Sequence, residues 1–333
     1  MQLQLQATSH QQLTTKMKVT DHIQNATKTL FSFEILPPLK GQNIQSIFDS
    51  IDPLMEFNPP FIDVTYHREE FEYKELGNGL LQKKIVRKRP GTVGICAAIQ
   101  NKYQVDAIPH ILCGGFTRED TENFLIDMDF LGIQNVVALR GDAIRNETYF
   151  RAEKEGNQYA SELVTQIANL NKGIYLDEDL QNSAATNFCI GVAGYPEKHM
   201  EAPSLDSDIY FLKQKIKNGA SYIVTQMFFD NKKFFDFVAK CRKEGITVPI
   251  IPGLKPISTK KQLNQIPHRF KVDLPDDLIM AVVRAGDADA VRQVGIEWCI
   301  AQSKELIAAG IPVLHYYSMG KSDNIREIAK AVF

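Results

Sequence analysis

Short, near-continuously apolar runs alternate with longer amphipathic stretches along most of this chain. The runs are LFSFEIL (30–36), FIDVTYH (61–67), AIPHILC (107–113), NVVALRGD (135–142), FCIGVAGY (188–195), YIVTQMFF (222–229), VPIIPGL (248–254) and PVLHYYSM (312–319). Strands covered on both faces lose the in–out alternation of a half-exposed sheet, so such runs read as parallel strands. Between them, TREDTENFLIDMDFLG (117–132), SDIYFLKQKIKNGA (207–220) and NKKFFDFVAKCRKEG (231–245) have helical periodicity, with Gly219 and Gly245 where a helix end wants glycine. Residues 255–311 exceed the length of one helix and read as two or three. A doubly wound open sheet would also alternate, but eight alternations without a compositional break predict an α/β fold, a single (β/α)8 TIM barrel over 17–333. The extra helices fall before its last strand. Residues 1–16 are polar and Gln-rich and are expected to form a disordered extension, with Met17 as an alternative start. A short helical pattern, KMKVTDHIQNATK, follows.

Composition narrows the function classes. Lys+Arg 38 against Asp+Glu 40 leaves a net charge of −2, which offers no electrostatic footprint for nucleic acid or an anionic membrane. No stretch reaches the ~18 apolar residues of a membrane span, and the N-terminus has no secretory apolar segment. The five cysteines (96, 113, 189, 241, 299) form no CxxC pair, which disfavours a disulfide scaffold or zinc ribbon and suits the reducing cytoplasm. Histidines and carboxylates lack HExxH or EF-hand spacing, so no metal is expected. No GxGxxG follows a strand, no GxSxG occurs, and Gly320-Lys321-Ser322 lacks the first glycine of a P-loop.

In such a barrel the C-terminal strand ends carry the chemistry. Here they hold Glu34; Thr65, Tyr66 and His67; His110; Arg140-Gly141-Asp142; Tyr195 with His199 beyond; Gln226; and His315, Tyr316, Tyr317 and Ser318. Any one His or Tyr is explained by a satisfied core or rim position, and Arg140-Gly141-Asp142 by a turn with an ion pair. Glu34 and Gln226 are harder to explain that way. They interrupt apolar runs, where an unpartnered polar group costs several kcal/mol.

The motifs SFEILPP, DVTYH, PHILC, VALRGD, AGYPEKH, TQMFFD and IIPGLKPIS, in this order, resemble the methylenetetrahydrofolate reductase family from about Thr29 to the C-terminus. The resemblance implies a flavoprotein barrel that binds FAD and takes hydride from NADH or NADPH. By ping-pong transfer it reduces 5,10-methylenetetrahydrofolate to 5-methyltetrahydrofolate, which supplies methyl groups for methionine synthesis. It makes Glu34 the general acid that protonates the folate amine, Asp142 the carboxylate beside the flavin, Gln226 the amide that holds the pterin, and Lys321 a contact to the folate tail. For FAD it implicates Thr65, Tyr66, His110, Arg140, Gly141, Asp142, Tyr159, Ala160, Tyr195, His199, Asp208 and Lys215, with Arg140 and Lys215 facing the pyrophosphate and Asp208 suited to the ribose. Lys260 stands where the family usually has a stacking aromatic, and Phe211 and Gln214 replace polar or basic FAD contacts. The chain stops after the barrel, so the family's S-adenosylmethionine-binding regulatory domain is not expected. The family is commonly a homo-oligomer. Competing readings are another FAD barrel, such as a proline-dehydrogenase-like oxidase, and a non-catalytic flavin- or folate-binding subunit.

Overall fold

The computed structural model describes residues 16–86, 89–144, 147–320 and 322–333. The expected disordered extension, apart from Lys16, and Lys321 lie outside the described residues. The first elements are α1 (Val19–Asn25), β1 (Leu30–Ile35), α2 (Gln45–Ile51) running into a 3-10 turn, and β2 (Phe61–Val64). A hairpin follows, β3 (Glu70–Leu76) and β4 (Leu80–Val86), then α3 (Thr92–Tyr103), β5 (Asp106–Leu112), α4 (Arg118–Phe130), β6 (Asn135–Leu139) and α5 (Ala160–Leu170). Next come β7 (Cys189–Gly194), α6 (Leu205–Lys217), β8 (Tyr222–Thr225), α7 (Asn231–Lys243), β9 (Ile250–Ile251) and β10 (Gly253–Leu254). Three helices, α8 (Gln262–Phe270), α9 (Asp276–Arg284) and α10 (Ala288–Ala308), precede β11 (Val313–Tyr317) and α11 (Asp323–Val332).

The main sheet runs β10-β11-β1-β2-β5-β6-β7-β8-β9, all parallel. Its two ends are halves of one strand. Pro252 interrupts the ladder, Ile250–Ile251 pair with β8, and Gly253–Leu254 pair with β11. Counting those halves as one strand gives eight, and the ring closes as the alternation predicts. Inward positions of the lower layer are apolar: Phe61, Ile108, Val137, Cys189, Tyr222, Ile251 and Val313 pack together with Val19 of α1. Helix α1 therefore covers the bottom of the barrel. It is tied there by Val19 N–H to Asn135 Oδ1 (2.9 Å) and by His22 Nε2 against Asp106 Oδ2 (2.7 Å). The outward residues of the strands form the larger core beneath the helices.

The β3–β4 hairpin is a finding that the run pattern does not predict. It is inserted between β2 and α3, and Tyr73, Leu81 and Ile85 on it are 58–67% exposed. Among the described residues no helix is long and apolar enough to cross a membrane.

Candidate active site

Glu34 sits near the end of β1, in register with Asp63 on β2 and Tyr317 on β11. These strands bring inward side chains to the mouth of the barrel because their residues alternate between core and lumen. Burial pushes the Glu34 carboxyl up to about 7; His110 opposes that rise, Asp63 adds to it and Lys255 opposes it. A carboxyl placed so keeps its proton at neutral pH and can give it up. Ser318 Oγ donates to the Glu34 carbonyl (2.7 Å) and fixes the strand end.

Below Glu34 the lumen is polar. Asp63, fully buried, contacts His110 Nε2 through Oδ2 at 3.2 Å. His315, also fully buried, pairs Nδ1 with Ser32 Oγ at 3.0 Å. The Tyr317 hydroxyl donates to the Thr225 carbonyl and lies over Gly253, where no side chain would fit. Gln226 begins the loop after β8; its N–H donates to Gly194 O (2.8 Å) and its side-chain Oε1 accepts from Met227 N–H (3.0 Å).

The loops after β6 and β7 form the other wall. Arg140 is bound by Glu201 through two bonds of 2.6 and 2.8 Å and lies over the Phe150 ring. Gly141 turns at φ +88°, a left-handed conformation that glycine adopts without strain, and leaves Asp142 exposed at the rim. The Tyr195 and His199 rings meet edge-on at 4.8 Å, and His199 N–H donates to Asp208 Oδ2 (2.7 Å). Burial lowers the His199 imidazole and Arg140 lowers it further, against Asp208, Glu201 and Asp142. Lys215 reaches inward and donates to Ala193 O at 2.8 Å; burial pulls its ammonium down to about 8, against Asp208. Thr65 Oγ1 donates to Ile35 O (3.2 Å), the Tyr66 ring packs on Phe116, and Tyr159 caps the start of α5 with Ala160 as its first residue.

Most of the residues singled out in the sequence thus occupy strand ends and adjoining loops, while Asp208 and Lys215 lie on α6, Ala160 begins α5 and Lys321 is outside the described residues. Two of them are engaged by neighbouring protein groups. Asp208 holds the His199 backbone, and Arg140 is engaged by Glu201, so an anion at that guanidinium must compete with a carboxylate. Lys260 is exposed and donates to Val283 O (3.1 Å), a bridge to α9. Residues missed in the sequence are Asp63, Lys255, and the Arg68–Glu147 ion pair that joins the loops after β2 and β6. Asp63 carried the same signal as Glu34, a carboxylate inside an apolar run.

A parallel eight-stranded barrel with a proton-holding carboxyl and a buried ammonium at its mouth is a scaffold for proton and anion chemistry. The chain belongs to the methylenetetrahydrofolate reductase family, whose model, "Methylenetetrahydrofolate reductase", matches residues 18–332. It is 32% identical over 317 residues to Methylenetetrahydrofolate reductase 1 of Schizosaccharomyces pombe, covering 94% of this chain and 48% of that protein. It is 33% identical over 316 residues to Methylenetetrahydrofolate reductase (NADH) 1 of Arabidopsis thaliana, covering 91% and 48%. With 5,10-methylenetetrahydrofolate reductase of Escherichia coli it shares 30% over 295 residues, covering 88% and 86%. The chain spans about half the length of the first two relatives. A solved structure, an uncharacterized protein from Clostridium thermocellum that binds two copies of 5-methyl-5,6,7,8-tetrahydrofolic acid, has the same fold. The TM-score is 0.56 at 14% identity, covering 94% of this chain and 97% of that one.

Proposed function

We propose that this protein reduces 5,10-methylenetetrahydrofolate to 5-methyltetrahydrofolate, with FAD as cofactor and NADH or NADPH as hydride source. The observation that carries the reading is Glu34, a carboxyl with a pKa of about 7 at the mouth of a barrel of this family. Opening the methylene bridge expels an amine, and an amine leaves only once protonated. Glu34 holds a proton for that nitrogen at neutral pH, and the iminium carbon left behind accepts hydride.

The residues present fit FAD. The Lys215 ammonium has a neutral carbonyl as its acceptor and a pKa depressed by burial, so an anionic group beside it restores its charge. Lys215, Arg140 and His199 would hold the diphosphate, and Thr65, Tyr66, His110 and Tyr195 would border the ring system. Bound FAD supplies a two-electron hydride relay between nicotinamide and folate. Asp142, exposed at the rim, presents a negative charge to the developing iminium cation. Gln226 presents its amide to the pterin; its oxygen is engaged by Met227 N–H, so pairing with the pterin requires that oxygen to be shared. The test is turnover. Protein saturated with FAD, supplied with NADH or NADPH and 5,10-methylenetetrahydrofolate, yields 5-methyltetrahydrofolate. Nicotinamide oxidation without that product would favour the oxidase reading, and no turnover with FAD bound would favour the binding subunit.

A further inference from the structure

Asp63 has no place in the chemistry above, yet its burial needs a reason. The residue is 1% exposed in the lumen beside Glu34, and among the described residues only one of its carboxyl oxygens is satisfied. Among the described residues Oδ1 has no hydrogen-bond partner, and neither has His315 Nε2 or the Tyr222 hydroxyl, both buried in the same lumen. Asp63 also acts electrostatically on His315 and on Tyr222. A carboxylate held for packing alone is a poor choice, since an apolar side chain of similar size avoids the desolvation cost. The set Asp63 Oδ1, His315 Nε2 and Tyr222 OH has the donors and acceptors that internal water satisfies.

The partner that Asp63 does have is His110, at 3.2 Å, and both residues stand beside Glu34 in the strand order β1-β2-β5. We propose that Asp63 is a positioning residue for the proton chemistry: it holds His110 as imidazolium, and that cation keeps the Glu34 proton mobile at neutral pH. The deduction deepens the reductase reading and rests on it for its catalytic meaning.

The charges that face Glu34 are His110 from β5, Asp63 from β2 and Lys255 beyond β10, with the Tyr317 hydroxyl from β11. Those that face His110 are Asp63 and Glu34, with His67 and His315 feeling its charge in turn. Burial drives His110 towards the neutral form; the Asp63 bond and charge, together with the Glu34 charge, overcome that and raise it. On Glu34, the lowering by His110 outranks the raising by Asp63. The two residues therefore act on Glu34 with opposite signs, and the sign of a single substitution separates the models. If Asp63 works through His110, Asp63→Asn neutralises both charges and the Glu34 pKa rises. If Asp63 acts only by its own charge, the same change lowers it.

The experiment is a carboxyl 13C and imidazole 15N NMR titration of the wild-type protein, Asp63→Asn and His110→Gln. Glu34→Gln assigns the carboxyl signal, and His110→Gln the imidazole signal. The expected results are a wild-type His110 that is still protonated at pH 7, a fall of its pKa in Asp63→Asn, and a rise of the Glu34 pKa in both variants, larger in His110→Gln, where the opposing Asp63 charge remains. The Glu34 pKa of the double variant should match that of Asp63→Asn and lie below that of His110→Gln, which keeps the Asp63 charge. A wild-type His110 neutral at pH 7 overturns the proposal even if Asp63→Asn fails to fold, and so does a Glu34 pKa that falls or stays in Asp63→Asn. These titrations need no substrate, so their outcome is independent of whether turnover is found.

Discussion

Glu34 and Lys215 lie at opposite walls of the mouth, and each is moved towards neutrality by burial, one from the acid side and one from the basic side. For Lys215 this has a consequence for stability. Its folded pKa of about 8 lies below its unfolded value, so between about pH 8 and 10.5 the unfolded chain binds more protons. Stability from this group is therefore lowest below pH 8 and rises as pH climbs through that window. Lys215→Met removes a charge that the cofactor-free protein holds at a cost. Thermal melts of the cofactor-free variant at pH 7 are expected at or above the wild-type temperature, with the rise in stability above pH 8 flattened. FAD titration should show weaker binding by tenfold or more, the scale of one lost charge-assisted bond. A variant that melts lower and binds FAD as tightly as wild type would remove Lys215 from the anion seat.

At the scale of elements, the α6–β8 corner shows how packing reaches the helix that carries Asp208 and Lys215. Ala220 is buried in the main core, and its N–H donates to the Lys215 carbonyl (3.1 Å). The preceding Gly219 turns at φ +128°, with Ala168 of α5 close behind it. Ala220→Val adds two methyl groups to that space, and overpacking costs about 1–3 kcal/mol. The strain falls on α6, which carries Asp208 and Lys215. The expected outcome is near-normal turnover at saturating FAD but faster flavin loss on dilution, relieved by added FAD. Release at the wild-type rate would mean that the corner absorbs the change. The eight barrel strands were legible in the sequence because burial on both faces leaves a continuous apolar run. The hairpin was not, because it is half-charged and exposed; its signals were the period-two placement of Phe71 and Tyr73, and of Leu81 and Ile85, about a Gly-Asn-Gly turn.

For the whole molecule, legibility of the site followed the same physics. Glu34 and Gln226 stood out because polar groups inside apolar runs need partners. Asp63 carried the same signal, but its partner shows only in the fold, where β5 brings His110 beside it. The Arg68–Glu147 pair joins loops 79 residues apart, a separation at which no local pattern exists. The closed ring, sealed below by α1, leaves the upper mouth as the end that carries Glu34, Asp142 and Gln226. The account's central claim is that Glu34 delivers a proton to the folate amine and takes no part in hydride uptake from nicotinamide. Stopped-flow measurement of the two half-reactions in wild type and Glu34→Gln tests it most directly. In wild type, the folate half-reaction should slow as pH rises through about 7, where Glu34 loses its proton, while flavin bleaching by NADH or NADPH shows no such limb. In Glu34→Gln, bleaching should stay within a few-fold of wild type, and recolouring by 5,10-methylenetetrahydrofolate should fall by ~10² or more and lose that pH dependence. Equal loss in both half-reactions, or a folate step that keeps its limb near pH 7 without Glu34, would contradict the account.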